Sequence, residues 1–193
     1  MSDEFRRVDR SLRHLRRLIL QTSVSIDGYV AALDGAHPWN DDGADEAVEQ
    51  WILDSVSAAG AHLMGRVTYE EMAAFWPTST SEFARPMNEL PKVVFSKTLQ
   101  QADWPETRIA RGDLREEIER LKREPGNDLI AYGGATFDQA LSRAGLVDEY
   151  RLMIQPAALG AGLPLFKDLS DPLHLELVEA MTFASGVAIH VYR

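Results

Sequence analysis

Short apolar runs of strand length alternate with longer amphipathic segments along most of this 193-residue sequence. A chain that alternates strands with helices in this way folds into an α/β domain with a mostly parallel sheet. The strand candidates are residues 18–31 (a strand followed by an Asp27-Gly28 turn), 61–65, 92–96, 107–110, 128–132 and 147–156. The helix candidates are residues 44–52, 68–76, 113–124 and 135–143.

The C-terminal residues carry a different pattern. LHLELVEAMTF (173–183) and VAIHVYR (187–193) flank Ser185-Gly186 with partial alternation of apolar and polar residues. Alternation around such a turn predicts a hairpin, so we expect an antiparallel edge on the otherwise parallel sheet. Among the helices, Thr68 is expected to cap the second and Asp113 to begin the third.

Composition indicates a single folded domain. A chain of this length can bury a sizeable core, and 45% hydrophobic with 26% charged residues is ordinary for a globular protein. We interpret residues 1–16 as a basic N-terminal extension and residues 17–193 as the domain. No apolar run is long enough to span a membrane, residues 1–17 lack the apolar core of a secretion signal, and cysteine is absent. We therefore expect a cytoplasmic protein without disulfides.

Charge is unevenly distributed along the chain. The net charge is −10, yet residues 1–17 hold six arginines against three acidic residues. We interpret this leader as a solvated tail or short helix rather than a docking arm. The acidic remainder does not suit nucleic acid or an anionic membrane, because both require a basic surface. A basic side chain beside a glycine turn is therefore a candidate anion ligand.

Two glycine turns follow strand candidates. Gly65 comes after HLM, and the pair Gly133-Gly134 comes after IAY and before a helix. Glycine in such a place permits a tight turn, or it lets backbone N–H groups approach an anion at the helix N-terminus. Ligands of parallel sheets bind beyond the carboxyl ends of the strands. We expect the two turns to meet there and to share one ligand.

Several well-known catalytic patterns are absent from the sequence. It contains no P-loop, no G-x-G-x-x-G turn, no G-x-S-x-G elbow and no H-E-x-x-H zinc helix. The five histidines are scattered without ligand spacing. We therefore expect neither a metal site nor a covalent nucleophile.

The order of strands and glycine turns resembles the dihydrofolate reductase-like fold, and more closely the reductase domain of riboflavin biosynthesis proteins (the RibD C-terminal domain) and its uncharacterised relatives. Five segments carry the resemblance in the expected order. They are SIDGYVA (25–31), MGRVTYEEM (64–72), KVVFSKT (92–98), LIAYGGATFDQAL (129–141) and LVDEYRLMIQPAALGAGLPLF (146–166). The resemblance implies a three-layer α/β/α domain that binds NADPH across the strand ends.

The resemblance also implies which residues bind the cofactor. One group lies under the adenosine ribose and phosphates, a second flanks the adenine and 2′-phosphate, and a third cradles the pyrophosphate. These are, in turn, Gly65, Arg66 and Thr68; Ser96 and Lys97; and Gly133, Gly134, Ala135 and Thr136. Folate reductases can carry an arginine where this chain has Thr136, so a preference for NADPH over NADH rests on Arg66 and Lys97.

On the substrate side, the resemblance places Ser25 and Asp27 in the loop that closes over the nicotinamide. Asp27 either fixes this loop through hydrogen bonds to backbone amides, as Asp does in Asp-Gly turns, or steers a proton to the substrate. Trp39 stacks on a flat heterocycle or fills the core. Riboflavin-type reductases often have a basic residue in place of Tyr29, so one anchor for a ribose phosphate is missing.

Folate reductases hold the pterin with a carboxylate early on the following helix. Asp45 is the best candidate for this role because it lies at the edge of the apolar stripe, although it also suits a helix cap. We list Asp27 and Asp45 as candidate catalytic residues, and Ser25, Tyr29 and Trp39 as candidate substrate contacts.

The resemblance implies an NADPH-dependent reductase that transfers hydride to an imine-like or carbonyl-like carbon of a small heterocyclic or phosphoribosyl substrate. The first candidate is the aminouracil ribosylamine phosphate of riboflavin biosynthesis, and dihydrofolate or another pteridine is the alternative. A nucleotide-binding module without turnover is a third hypothesis, because fold does not determine function. By the same resemblance we expect a homodimer.

Overall fold

The structure is a computed structural model that describes residues 15–39 and 45–193. Ten strands lie within these residues: β1 (Leu18–Ser25), β2 (Tyr29–Ala31), β3 (Ala61–Gly65), β4 (Lys92–Phe95), β5 (Thr107–Ala110), β6 (Leu129–Ala131), β7 (Glu149–Gln155), β8 (Leu163–Pro164), β9 (Leu177–Thr182) and β10 (Ala188–Tyr192). The helices are α1 (Glu46–Ser57), α2 (Arg66–Phe75), α3 (Ala84–Glu89), α4 (Leu114–Arg123) and α5 (Ala135–Arg143), and Trp76–Thr78 forms a 3-10 turn.

Eight of these strands form one central sheet in the order β5-β4-β3-β6-β1-β7-β10-β9. The first six positions are parallel, while β10 runs antiparallel to both β7 and β9. The predicted α/β class, with a mostly parallel sheet and an antiparallel C-terminal edge, is therefore confirmed. The remaining strands, β2 and β8, pair as a small separate ribbon.

Helices cover the sheet on two faces. Leu18 and Leu20 of β1 share a core with α4 and α5, whereas Ile19 between them packs with Val56 of α1 on the opposite face. On that second face Met64 of β3 packs with residues of α2 and α3. Strands buried on both faces read as continuous apolar runs, which explains why the pattern of β1, β3 and β6 was visible in the sequence.

Polar residues begin two of the helices. Asp45 caps α1, and Asp113 caps α4 by accepting hydrogen bonds from the N–H groups of Arg115 and Glu116. The prediction for Asp113 is confirmed, whereas that for Thr68 is wrong. Helix α2 begins at Arg66 directly after β3, with Gly65 as its cap, so Thr68 lies buried within the first turn.

Part of the predicted N-terminal extension lies outside the described residues. Within the described part, Arg16 is buried, and Arg17 forms ion pairs with Asp128 and Glu149. Ala44, the first residue of the predicted helix 44–52, also lies outside. Across residues 15–39 and 45–193, none of the helices has both the length and the apolar character needed to cross a membrane.

Candidate functional site

A cavity of about 860 Å³ opens at the carboxyl ends of β5, β4, β3, β6 and β1. Neighbouring strands in a sheet are about 4.8 Å apart, so the four intervals between these strands span about 19 Å. Such a groove is long enough for an elongated ligand that lies across several strand ends. Its position is the one in which parallel sheets bind their ligands.

All nine residues predicted to bind the cofactor line this cavity. They are Gly65, Arg66, Thr68, Ser96, Lys97, Gly133, Gly134, Ala135 and Thr136. They come from the ends of three strands and the starts of two helices, so the sheet brings together segments up to 71 residues apart in sequence. Their role as ligands stays a prediction.

The two glycine turns meet at the centre of the cavity. Gly134 has φ +86°, and a Cβ atom placed on it would lie 2.9 Å from Thr68 Oγ1 of α2. Gly65 in turn packs against Phe137 of α5, with 3.3 Å between a Cβ added to Gly65 and Phe137 Cβ. The tight-turn explanation of the glycine pair therefore holds, because the turn needs a left-handed conformation and α2 leaves no space for a side chain at Gly134. The approach of an anion to this turn stays a prediction.

Helix α5 starts immediately after this turn. The N–H group of Phe137 donates to Gly134 O, whereas those of Ala135 and Thr136, the first two residues of the helix, precede the first helical hydrogen bond, and both residues line the cavity. The helix dipole adds partial positive charge at the same end. This end of α5 has the geometry of an anion site.

Two cationic side chains, Arg66 and Lys97, line the same cavity. Arg66 forms an exposed ion pair with Glu70, 3.0 Å between Nη1 and Oε1, and such pairs contribute only about 0.2–1 kcal/mol. A phosphate can therefore replace Glu70 at little cost. Lys97 is exposed and follows Ser96, whose Oγ accepts hydrogen bonds from the N–H groups of Thr98 and Leu99. Ser96 thus shapes the turn that presents Lys97.

Asp27 does not line the cavity. Its carboxylate accepts hydrogen bonds from Ser25 Oγ at 2.6 Å, from Gly160 N at 2.7 Å and from Leu159 N at 3.1 Å. These bonds, the one from Ser25 foremost, hold the pKa of Asp27 below its ordinary value. The carboxylate ties the loop after β1 to the loop after β7, which is the first of the two roles predicted for it. Ser25 also accepts a hydrogen bond from Tyr29 N.

Asp45 also lies outside the cavity. It accepts hydrogen bonds from Ser185 N at 3.1 Å and Ala47 N at 3.0 Å, and the bond from Ser185 is the main reason that its pKa is lowered. The carboxylate therefore caps α1 and joins it to the C-terminal hairpin.

The predicted substrate contacts lie outside the cavity lining. Ser25, Tyr29 and Trp39 do not line the cavity. Tyr29 packs close to Gly162, where an added Cβ would lie 3.1 Å from Tyr29 Cβ. Trp39 is half-buried beside the ring of His37, 6.0 Å between centroids.

His37 lines the cavity although its sequence context did not predict it as a site residue. Its Nδ1 lies 3.0 Å from the carbonyl oxygen of Val30. Because a carbonyl only accepts, Nδ1 carries the hydrogen in this contact, and the ring is held at the end of the cavity formed by β1, β2 and β8. His37 lies in a loop rich in Gly and Pro, so periodicity offered no signal for it.

Tyr132 is a second missed residue. Its hydroxyl contacts Nδ1 of His62 at 2.6 Å, and Nε2 of His62 lies 3.1 Å from the carbonyl oxygen of Pro86. Since Nε2 donates to that carbonyl, Nδ1 must accept from Tyr132. Burial lowers the pKa of His62 to about 4, so the imidazole is neutral at neutral pH. The pair fixes the Tyr132 ring in the cavity wall, directly before Gly133. A tyrosine at the end of a buried strand, next to the glycine pair, was the available signal.

Comparison with known proteins agrees with this geometry. The family model of the RibD C-terminal domain matches residues 16–189, which confirms the resemblance noted in the sequence. An uncharacterised protein of Bacillus subtilis strain 168, YyaP, is 32% identical over 182 residues, which cover 92% of this chain and 94% of YyaP.

Solved structures share the fold. A Shewanella sp. PV-4 protein proposed to act in riboflavin biosynthesis matches with a TM-score of 0.76 at 21% identity, covering 92% of this chain and 98% of that one. A Thermotoga maritima diaminohydroxyphosphoribosylaminopyrimidine deaminase/5-amino-6-(5-phosphoribosylamino)uracil reductase matches at 0.67 and 17% identity, over 93% of this chain and 56% of that one. Dihydrofolate reductase of Enterococcus faecalis, solved with NADP(H), matches at 0.64 and 14% identity, over 92% and 95% of the two chains. At these identities the likeness establishes the dihydrofolate reductase-like fold.

Proposed function

The chain belongs to the RibD C-terminal domain family, and from this premise we propose that it is an NADPH-dependent reductase of a small nitrogen heterocycle. The observation that carries the proposal is the convergence of nine residues on one groove: two glycine turns, a helix N-terminus and two cationic side chains. These groups suit a ligand with a pyrophosphate and a further phosphate.

The residues fit the cofactor chemically. Ala135 and Thr136 line the cavity at the start of α5, and Gly133 beside them leaves open space, since an added Cβ there would have nothing within 4 Å, so a pyrophosphate can reach this helix end. Arg66 and Lys97 then supply positive charge to the phosphates. NADPH, when bound, supplies the hydride.

The reaction asks the protein mainly for positioning. Hydride transfer requires donor and acceptor carbons to be held close together and shielded from water. The wall formed by Val30, Ala31 and Leu163 is apolar, and Tyr132 is fixed from behind by His62. This wall would hold the acceptor ring against the nicotinamide. Family membership favours an aminopyrimidine ribosylamine as that ring, with a dihydropteridine as the alternative.

The first test is a titration of the protein with NADPH and with NADH. Energy transfer from the four tryptophans to the nicotinamide reports binding. We expect NADPH to bind more tightly than NADH. We also expect Arg66→Ala to weaken NADPH binding about tenfold or more, because a charge-assisted hydrogen bond contributes about 1.5–3 kcal/mol.

Arg85→Ala is the matched control. Arg85 forms the same kind of exposed ion pair, with Glu89 four residues later, but on α3 and away from the cavity. We expect this variant to bind NADPH like the wild type. Binding of neither nucleotide would contradict the reductase proposal.

A further inference from the structure

The two ends of the cavity differ in charge. The end formed by β3, β4 and α5 holds Arg66 and Lys97. The other end, formed by β1, β2, β8 and the following loop, is lined by Thr22, Val30, Ala31, Gly35, His37 and Leu163. Among the described residues, this second end therefore contains no lysine and no arginine.

The cationic end is fully used by the proposed cofactor. NADPH brings a pyrophosphate and a 2′-phosphate, and the groups suited to them are the α5 N-terminus, Arg66 and Lys97. No other lysine or arginine of the described chain lines the groove. Among the residues that the structure describes, a second phosphate, on the substrate, would find no further lysine or arginine in the groove to pair with.

Acidic residues line the cavity or lie in the loop next to its second end, and Asp113 is one of the lining residues. Glu71 lines the cavity, and Asp34 lies in the loop between Ala31 and His37. A phosphate placed here would lose hydration without gaining a positive partner, and it would meet like charge.

We propose that the substrate is a flat nitrogen heterocycle without a phosphate group, neutral or cationic, held at the His37 end of the cavity. This inference rests on the proposed function and names its substrate class. The hydroxyl of Thr22 and Nε2 of His37 bind the polar atoms of the heterocycle. Nε2 is the ring nitrogen of His37 that does so, because Nδ1 donates to Val30 O. The apolar wall of Val30, Ala31 and Leu163 contacts the ring.

The test compares 5-amino-6-(5-phosphoribosylamino)uracil with its dephosphorylated form, 5-amino-6-ribosylaminouracil. The full chain is first saturated with NADP⁺, which permits binding without turnover, and each compound is then titrated by calorimetry. We expect the dephosphorylated compound to bind more tightly, by on the order of tenfold or more. Equal or tighter binding of the phosphorylated compound would overturn the proposal, and so would binding of neither compound.

A gain of charge provides a second test. His37→Arg places a cation at the substrate end, so we expect the phosphorylated compound to gain affinity by about tenfold. Leu33→Arg is the control, because Leu33 is 73% exposed in the same loop and does not line the cavity. It should leave the preference unchanged. An unchanged preference in His37→Arg, with NADP⁺ still bound, would overturn the placement of the substrate at this end of the cavity.

These outcomes separate the two proposals. A protein that binds no nicotinamide nucleotide contradicts the reductase function itself. A protein that binds NADP⁺ tightly but prefers the phosphorylated compound contradicts only the substrate class.

Discussion

Asp27 illustrates how the partners of one side chain decide its role. A carboxylate that accepts three hydrogen bonds is stabilised in its ionised form, and the pKa of Asp27 is lowered accordingly. An acid that loses its proton so readily is a poor proton donor near neutral pH. Its bonds to Leu159 and Gly160 instead fix the loop after β7.

Asp27→Asn tests this fixing role. The amide retains one acceptor oxygen, so at least one of the bonds to Leu159 N and Gly160 N is lost. We expect amide hydrogen exchange at these two residues to accelerate by on the order of tenfold, while NADPH binding stays close to that of the wild type. Asp34→Asn is the control, since among the described residues Asp34 accepts the local N–H of Ala36 alone. Unchanged exchange at Leu159 and Gly160 in Asp27→Asn would contradict the prediction.

At the scale of elements, the cofactor half of the groove depends on how α2 and α5 meet. The contact at Gly134 joins the two helices that follow β3 and β6, and both helices begin within one residue of a glycine. A shift of either helix would move the N–H groups of Ala135 and Thr136 away from a bound phosphate.

Gly134→Ala tests this junction against a matched glycine. Both Gly134 and Gly145 have positive φ, +86° and +60°, but an added Cβ at Gly145 has nothing within 4 Å. Gly145→Ala should therefore cost only backbone strain, about 1–2 kcal/mol of unfolding free energy. Gly134→Ala should cost more and should also weaken NADPH binding, because Thr68 must move. Equal losses of stability in urea unfolding, with unchanged NADPH binding, would contradict the role of the contact.

The sequence predicted this half of the site because its signals are local. A buried strand followed by glycine is visible in a few residues, as at Gly65 and Gly133, and a helix cap such as Asp113 is equally local. The β2–β8 ribbon and α3 were missed because strands of two or three residues and a six-residue helix carry no periodicity.

The substrate half was predicted less well because its contacts are distant in sequence. Asp27 finds partners at Leu159 and Gly160, and Asp45 finds one at Ser185, 140 residues away. Spacing along the chain contains no information about such pairs. The sequence indicated that both carboxylates are candidate site residues, but only the folded arrangement shows that both accept hydrogen bonds from backbone N–H groups.

For the whole molecule, two buried groups shape the dependence of stability on pH. His62 has a folded pKa of about 4 against 6.5 for the free side chain, so the unfolded chain binds the extra proton between these values and stability rises with pH there. Asp138 is fully buried, and neither of its oxygens has a hydrogen-bond partner among the described residues. Burial raises its pKa from 3.8 to about 8. The folded chain then holds the extra proton, and stability falls with pH across that range.

The two effects oppose each other below pH 6.5, and only that of Asp138 continues above it. Wild-type stability should therefore lose up to about 1.4 kcal/mol per pH unit between about pH 6.5 and 8 from this group. Asp138→Asn removes this titration. In urea unfolding, the unfolding free energy of the variant relative to that of the wild type should therefore increase with pH throughout this window. Asp171 is exposed, so the unfolding free energy of Asp171→Asn should depend on pH in the same way as that of the wild type. Parallel curves for Asp138→Asn and wild type would mean that Asp138 is ionised in the folded protein, with a partner that compensates its charge.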